Sequence, residues 1–190
     1  VIVAARDEAS GIEAAMRSLL ALDYPALEVL AVDDRSGDAT GAILDRLAAH
    51  DPRLRVQHVR QLPPGWLGKN HALALGAREA RGELLLFTDA DVEFAPQALR
   101  SAVAILEAEA LDHLALGPGL RLPGAWLAAC VAYFARLFYV YLRPWRARDP
   151  RSAAFIGVGA FNLVRAEGYR AAGGHERLAL RPDDDVKLGK

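Results

Sequence analysis

This 190-residue chain contains very little cysteine and carries almost no net charge. Its one cysteine, Cys130, excludes an internal disulfide and a cysteine zinc site. Cys130 lies in an apolar stretch, which predicts a buried thiol in a reducing compartment. A net charge of −1 gives no electrostatic reason to expect a nucleic-acid partner. The composition, 53% hydrophobic and 25% charged, is that of a globular domain and excludes a disordered segment.

The chain also lacks the complete form of three common ligand-binding motifs. A P-loop at residues 63–70 is excluded because Pro63 stands at the first glycine position and Asn70 at the Ser/Thr position. Gly157 and Gly159 lack the third glycine of a dinucleotide fingerprint, so they predict a tight backbone turn. Phe94 occupies the position at which an EF-hand calcium loop needs glycine.

Residues 1–110 alternate between apolar strand patterns and amphipathic helix patterns. Ser10 and Glu13 have the spacing of a capping box and predict the start of the first helix. The predicted strands are 1–5, 28–32, 54–59 and 83–88, and the predicted helices are 11–20, 40–50, 69–80 and 97–110. This alternation predicts an α/β fold with a Rossmann-like, mostly parallel sheet flanked by helices.

Two acidic pairs end predicted strands. Asp33 and Asp34 end the second strand, and Asp89 and Asp91 follow the fourth, with Ala90 between them. Ligands of open α/β sheets bind at the carboxyl ends of the strands, so we expect both pairs along one edge. Mg²⁺ and Mn²⁺ prefer carboxylate and phosphate oxygens. The pattern therefore predicts an enzyme that handles a phosphorylated donor. The alternatives are turn or cap residues for Asp33 and Asp34, and ordinary turn or surface carboxylates for Asp89 and Asp91.

Two further charged features have both a functional and a structural interpretation. Lys69 lies early in a predicted helix, where its charge opposes the helix dipole unless an anion such as a diphosphate is bound nearby. Asp183, Asp184 and Asp185 crowd three carboxylates together, and their mutual repulsion raises a pKa, as suits a general base. The structural alternatives are a solvated lysine and a solvated acidic turn.

Residues 125–142 are almost wholly apolar, interrupted only by Arg136, and approach the length of a membrane span. Arginines mixed with tyrosine and tryptophan follow, a composition that suits a membrane interface. These arginines are Arg143, Arg146, Arg148 and Arg151. Membrane contact is preferred, and the alternatives are a buried core helix or a helix packed on a further part of the protein.

Five segments in the same order resemble the motifs of the family 2 glycosyltransferases, which have the GT-A fold. They are 1–8, 32–40, 68–73, 87–91 and 184–189. The match includes substitutions, with Ala4 in place of a proline and Asp184 in place of a glutamate. The resemblance implies one GT-A domain over 1–190, apparently truncated at both ends. Its nucleotide-sugar-binding half would be 1–118 and its acceptor-side half 119–190.

This resemblance implies an inverting, metal-dependent transfer of a sugar from a nucleoside-diphosphate sugar to an acceptor hydroxyl. The cofactor would be Mn²⁺ or Mg²⁺, ligated by Asp91 with Asp89. Asp185 would be the catalytic base, with Asp184 as the alternative. The residues expected to hold the donor are Ala4, Arg6, Glu8, Asp33, Asp34, Lys69, Asp89 and Ala90.

The stretch 62–69 is similar to bacterial family members associated with hopanoid and carotenoid pathways, whose acceptors are membrane lipids. This resemblance implies a lipid or glycan acceptor, a membrane surface as partner and no nucleic acid. It also implies a membrane-anchored parent protein at the cytoplasmic face of the bacterial inner membrane. Two other functions stay open. One is a sugar nucleotidyltransferase, although residues 6–10 are poor for a triphosphate, and the other is a non-catalytic, membrane-associated scaffold.

Overall fold

The computed structural model describes residues 1–120, 122–147, 149 and 151–189, and Arg148 therefore lies outside it. The strands are β1 (Ile2–Ala5), β2 (Val29–Asp34), β3 (Leu54–Val59), β4 (Leu84–Asp89), β5 (His113–Ala115) and β6 (Asn162–Arg165). The α-helices are α1 (Ile12–Leu20), α2 (Thr40–Ala48), α3 (Gly68–Glu79), α4 (Ala98–Ala108), α5 (Ala125–Leu142), α6 (Ala166–Ala171) and α7 (Asp184–Leu188). Two 3-10 helices cover Pro144–Arg146 and Gly174–Leu178.

The strands form one sheet in the order β3-β2-β1-β4-β6-β5. β1 pairs in parallel with β2 and β4, and β2 pairs in parallel with β3. β6 runs antiparallel to both of its neighbours, β4 and β5. The predicted mostly parallel α/β sheet is confirmed, because one helix connects each successive pair among the first four strands.

The core lies on both faces of the sheet because successive strand residues point to opposite sides. In β1, Val3 packs into the cluster formed with α1, α2 and α4, whereas Ile2 packs into the cluster formed with α3 and α6. In β4, Leu86 joins the first cluster and Phe87 the second. A strand that is buried on both faces has apolar side chains at nearly every position. The sequence therefore indicates these strands clearly.

The predicted capping box at the start of α1 is wrong. The helix begins at Ile12 after Gly11, and no side chain caps it. Instead, the Glu8 carbonyl accepts hydrogen bonds from the N–H groups of Gly11 and Ile12 at 3.0 and 2.9 Å. A backbone turn therefore starts the helix in place of the predicted side-chain cap.

The second half of the chain contains elements that the sequence analysis did not predict. β5 has only three residues, and β6 pairs antiparallel with β4 from Leu84 opposite Arg165 to Phe87 opposite Asn162. Strands of three and four residues are too short to show the periodicity on which the first half was predicted. This antiparallel pair brings residues 156–161 to the end of β4.

The apolar stretch forms α5 with the predicted bounds, but it is not a core helix. No residue of Ala125–Leu142 is buried in the described part of the chain. The segment Ala125–Arg146 is long and apolar enough to cross a membrane, with a mean hydropathy of 1.5. Cys130 lies on this helix and is exposed, so the predictions of a buried thiol and of a buried core helix are both wrong.

Candidate active site

The carboxyl ends of three neighbouring strands bring the predicted acidic residues to one edge of the sheet. Ala5 of β1 lies opposite Asp33 of β2, and Ala4 lies opposite Asp89 of β4. Parallel pairing places all three strand ends on the same side. The expectation that both acidic pairs share this edge is therefore confirmed.

An open cleft of ≈ 380 Å³ lies at this edge. It gathers nearly all residues that the sequence predicts to bind the donor and the metal. The lining residues are Ala4, Ala5, Arg6, Glu8, Asp34, Gly68, Lys69, Asp89, Ala90 and Asp91. Four separate sequence segments contribute to one concave surface with acidic, basic and apolar parts.

Asp33 is the exception among the predicted donor residues. Its carboxylate accepts a hydrogen bond from the Ser36 N–H at 3.2 Å and lies 2.9 Å from the ring nitrogen Nδ1 of His58. The other ring nitrogen of His58 lies 3.0 Å from Asp45, and the two carboxylates, first Asp33 and then Asp45, raise the pKa of His58. Asp33 thus joins β2 to β3 and is not among the residues that line the cleft.

Asp34 lies in the cleft as half of an ion pair. The Arg35 guanidinium donates to both of its carboxylate oxygens, at 2.8 and 2.9 Å. Arg35 has a φ of 60°, so the chain turns sharply after β2 and folds this side chain back onto its neighbour. A Cβ on Gly68 would overlap the Asp34 carboxylate, so only glycine lets the start of α3 approach this closely.

Lys69 connects the cleft to the rest of the site. Its ammonium group donates to Asp89 Oδ1 at 2.5 Å. Burial alone would lower the pKa of Lys69, but the bond to Asp89 and the charges of Asp184 and Asp185 outweigh it and raise this pKa. Lys69 therefore stays charged, with three carboxylates in its surroundings.

A small cavity continues from the cleft toward α7. Lys69 and Asp89 line both spaces, and the cavity adds Gly159, Asp184 and Asp185. The Gly159 N–H donates to Asp185 Oδ2 at 3.0 Å, while the Gly159 carbonyl accepts from the Asp89 N–H at 3.1 Å. A Cβ on Gly159 would lie 2.5 Å from Asp89 Oδ2 and 3.2 Å from Asp185 Oδ2. The strand-end acidic pair and the C-terminal acidic run thus meet around one glycine.

Asp184 and Asp185 have different surroundings. Asp185 is half-buried, and its second oxygen accepts from the Val186 N–H at 2.8 Å. Asp184 is buried, and its Oδ2 has no hydrogen-bond partner among the described residues. Burial raises the pKa of Asp184 to about 6, opposed by Lys69 and assisted by Asp185. The Asp183 carboxylate is paired with Arg181 at 2.8 Å, and this pair lies outside the residues that line the two cavities.

A model of the family described as glycosyl transferase family 2 matches residues 1–121 of this chain. The chain belongs to glycosyl transferase family 2. This membership confirms the resemblance inferred from the motifs and identifies the domain as a glycosyltransferase rather than a nucleotidyltransferase.

Curated relatives of this family 2 domain include two enzymes whose names specify apolar molecules. A beta-monoglucosyldiacylglycerol synthase of Synechocystis sp. is 37% identical over 105 residues, which cover 54% of this chain and 22% of that protein. A 4,4'-diaponeurosporenoate glycosyltransferase of Staphylococcus haemolyticus is 34% identical over 95 residues, covering 49% of this chain and 24% of that protein. The matched residues therefore cover less than a quarter of the length of either relative.

A solved structure confirms the fold of the family 2 domain. The mannosyltransferase PcManGT from Pyrobaculum calidifontis, solved in complex with GDP-Man and Mn²⁺, is 28% identical with a TM-score of 0.69. The alignment covers 91% of this chain and 46% of that one. Together with the sheet order, this likeness confirms the predicted GT-A fold.

The acidic wall of this family 2 cleft fits a divalent cation that is shared with phosphate oxygens. In the described residues, no three His, Cys, Asp or Glu side chains are grouped to hold a metal by themselves. Asp89, Asp91 and Glu8 nevertheless line one cleft, and burial, followed by nearby carboxylates of which Asp91 is the strongest, raises the pKa of Glu8. Mg²⁺ is commonly held by one or two carboxylates plus substrate phosphates. The side chains fit that arrangement.

Two asparagines that were not among the predicted site residues hold the parts of the site together. Asn162 of β6 accepts from the Val158 N–H at 3.1 Å and donates to the Asp185 carbonyl at 3.3 Å, so it joins the glycine turn to α7. Asn70 of α3 donates to the carbonyls of Leu178 and Arg181, which lead into α7. The sequence signals for this arrangement are the two glycines, Gly157 and Gly159, and the polar Asn162 beside the apolar residues of β6.

Proposed function

We propose that this family 2 domain transfers a sugar from a nucleoside-diphosphate sugar to a hydroxyl group of a lipid or membrane-associated acceptor, with inversion at the anomeric carbon. The observation that carries the proposal is the meeting of Asp89 and Asp185 around Gly159. A donor in the cleft and a base on α7 would then lie on either side of one reacting carbon. The donor half is assigned to residues 1–118 and the acceptor half to 119–190.

The cleft supplies the groups that a nucleoside-diphosphate sugar needs. Asp34, Ala4, Arg6 and Glu8 would receive the nucleoside end at the β1–β2 side. Lys69 would neutralise charge on the diphosphate or contact the donor sugar, since its raised pKa keeps it protonated. Preorganised positive charge at the leaving group stabilises the transition state of such a transfer.

Asp91 and Asp89 are the residues that would hold a Mn²⁺ or Mg²⁺ ion. Such an ion would supply Lewis-acid stabilisation of the negative charge on the departing diphosphate. Without phosphate oxygens the two carboxylates offer an incomplete ligand set, so metal and donor are expected to bind together.

Asp185 is the proposed general base. The acceptor oxygen attacks the anomeric carbon while its proton passes to a carboxylate oxygen of Asp185. The bond between that carbon and the diphosphate oxygen breaks, and the nucleoside diphosphate leaves with the bonding electrons. Hydrogen bonds from the N–H groups of Gly159 and Val186 hold the Asp185 carboxylate in place, and its partial exposure leaves it within reach of an acceptor.

The acceptor class is proposed from two independent observations. The names of two relatives specify a diacylglycerol and a diaponeurosporenoate, which are apolar molecules. In addition, α5 exposes an apolar surface within the acceptor half. Both favour a membrane surface as partner and a position of the protein at a membrane face.

Calorimetric titration of nucleoside-diphosphate sugars, with and without Mn²⁺, tests this proposal. We expect donor binding that depends on Mn²⁺ and that Asp91→Ala weakens by about tenfold or more, since a charged ligand is lost. Asp112→Ala is the matched control, because Asp112 is an exposed aspartate outside the cleft. Equal, metal-independent binding by the parent and Asp91→Ala would contradict the metal site.

Product analysis separates this proposal from the other two functions. Sugar transfer to an extracted lipid fraction, or donor hydrolysis in its absence, supports a glycosyltransferase. Release of pyrophosphate from a nucleoside triphosphate would support a nucleotidyltransferase. Normal pathway output in cells whose full-length parent protein carries Asp185→Ala would support a scaffold.

A further inference from the structure

Helix α5 presents a large exposed apolar surface in the described part of the chain. None of its residues is buried. Ala128, Val131, Ala135, Phe138 and Leu142 are half-buried along one face, and its other residues are exposed, including Trp126 near its start at 83% and Tyr141 near its end at 84%. Eighteen residues of α-helix span about 27 Å, close to the thickness of a bilayer core. By length and composition alone, this helix would be read as a membrane span.

The topology of the sheet rules out a single crossing. Helix α5 lies on the segment 116–161, called the excursion below. This segment leaves the sheet after Ala115 of β5 and returns at Asn162 of β6. These two residues lie directly opposite each other in one antiparallel pair. A chain that leaves and re-enters at one point must cross a bilayer an even number of times. Among the described residues, Ala125–Arg146 is the one segment apolar enough to cross, so no second crossing is provided.

The charge of the excursion is complementary to anionic lipids. Residues 116–161 contain six arginines, one aspartate and no other acidic residue. Arg143 and Arg146 follow the last apolar turn together with Trp145, the combination found where a helix meets headgroups. Arg136, in the middle of α5, has a long side chain that can reach the headgroups from an immersed helix.

We propose that α5 lies in the plane of an anionic membrane surface, with both of its ends on the side of the catalytic domain. The bilayer is the occupant that its exposed apolar side chains fit, and the arginines at its end bind lipid phosphate. The helix is therefore an interfacial anchor and not a transmembrane span.

The same excursion returns directly into the active site, and this part of the inference rests on the proposed function. Fourteen residues beyond Trp145, Gly159 donates to Asp185 and accepts from Asp89. Phe155, on the way back, packs under the Lys187 ammonium of α7 at 4.7 Å. An anchor in the headgroup plane would hold Asp185 at the depth at which a lipid hydroxyl is exposed.

Site-specific labelling tests the orientation of α5. In a Cys130→Ser background, a single cysteine is introduced as Leu122→Cys before the helix or as Trp145→Cys after it. Each variant is bound to preformed phosphatidylcholine vesicles containing phosphatidylglycerol, and a membrane-impermeant maleimide is added outside. We expect both cysteines to be labelled before detergent is added. Labelling of either one only after detergent would show a crossing and would overturn the proposal.

Vesicle flotation tests the lipid chemistry in the absence of donor and acceptor. We expect binding that requires phosphatidylglycerol, and the double substitution Arg143→Gln, Arg146→Gln should lower partitioning by about fivefold per charge. Arg60→Gln is the matched control, since Arg60 is exposed after β3 at the opposite edge of the sheet. Circular dichroism melting establishes that each variant is folded.

Two results of flotation would overturn the proposal. One is binding that is indifferent to phosphatidylglycerol and to the arginine substitutions. The other is no binding combined with a dimer in sedimentation that Phe134→Ser dissociates, because a second copy would then cover α5. Vesicle binding with no sugar transfer would instead leave this inference standing and contradict the proposed function.

Discussion

At the scale of single residues, the site depends on how each carboxylate is held. Asp34 is paired with Arg35, Asp89 with Lys69, and Asp185 with two backbone N–H groups. Asp184 differs from these three residues, because it is buried and its Oδ2 has no hydrogen-bond partner in the described structure. The motif places Asp184 and Asp185 side by side, whereas burial distinguishes them and favours Asp185 as the base.

The first prediction separates these two neighbours. We expect Asp185→Asn to lower kcat by about 10²–10⁴-fold with little change in donor affinity, because an amide cannot accept the acceptor proton. Asp184→Asn, equal in size and adjacent, should cause a much smaller loss of kcat. Steady-state kinetics with calorimetric donor binding provides the measurement. The reverse order of the two effects would assign the base to Asp184.

At the scale of elements, one turn and one short helix build the acceptor side. A turn over residues 158–161 is closed by the Phe161 N–H bonded to the Val158 carbonyl at 2.9 Å, so the predicted tight turn is present but begins after Gly157. A Cβ on Gly157 would overlap the Asp185 backbone, so the residue before the turn is in direct contact with α7. These glycines serve close backbone packing.

The second prediction concerns the glycine between the two carboxylates. Gly159→Ala should lower kcat and also weaken donor binding, because the new methyl group would displace both Asp89 and Asp185. Overpacking of this kind costs about 1–3 kcal/mol of unfolding free energy. Gly168→Ala in α6 is the control, since a Cβ there meets nothing within 4 Å. Unchanged kinetics in Gly159→Ala would contradict the proposed meeting of the two carboxylates.

At the scale of the whole molecule, two buried groups respond to acid in opposite directions. His175 packs on Phe87 and bonds to the Tyr169 hydroxyl at 2.8 Å, and burial lowers its pKa to about 4. Burial raises the pKa of Asp184 to about 6. As the pH falls from 6.5 to 4, the unfolded chain takes up a proton at His175 first, and folding stability is lost. As the pH falls from 6 to 3.8, folded Asp184 takes up its proton first, and stability is gained.

The third prediction follows from this opposition. Each effect has an upper limit of about 3 kcal/mol, because one pKa unit corresponds to about 1.4 kcal/mol, so the two nearly cancel in the parent. We expect the stability of Asp184→Asn to fall relative to the parent as the pH is lowered from 6 to 3.8. The stability of His175→Phe should rise relative to the parent as the pH is lowered from 6.5 to 4. Urea unfolding at a series of pH values measures both, and parallel pH profiles for all three proteins would contradict the assignment.

The first half of the fold was predictable because each of its elements carries a local signal. β1 to β4 are buried apolar runs, and the helices between them have one apolar face. The acidic residues at the strand ends were predictable for the same reason, since parallel strands share one edge. β5 and β6 were not predictable, because an antiparallel pair closed over a long excursion leaves no periodic pattern.

By itself, the sequence determined the α/β class, the family and the acidic strand ends, because these follow from local periodicity and from motifs in order. Only the tertiary structure decided that Asp89 and Asp185 meet around Gly159, since 26 residues of chain separate Gly159 from Asp185. It also decided that Asp33 faces His58 and that α5, with no buried residue among those described, lies on a segment that leaves and re-enters the sheet at one strand pair. Such contacts depend on how distant segments pack, which no local pattern encodes.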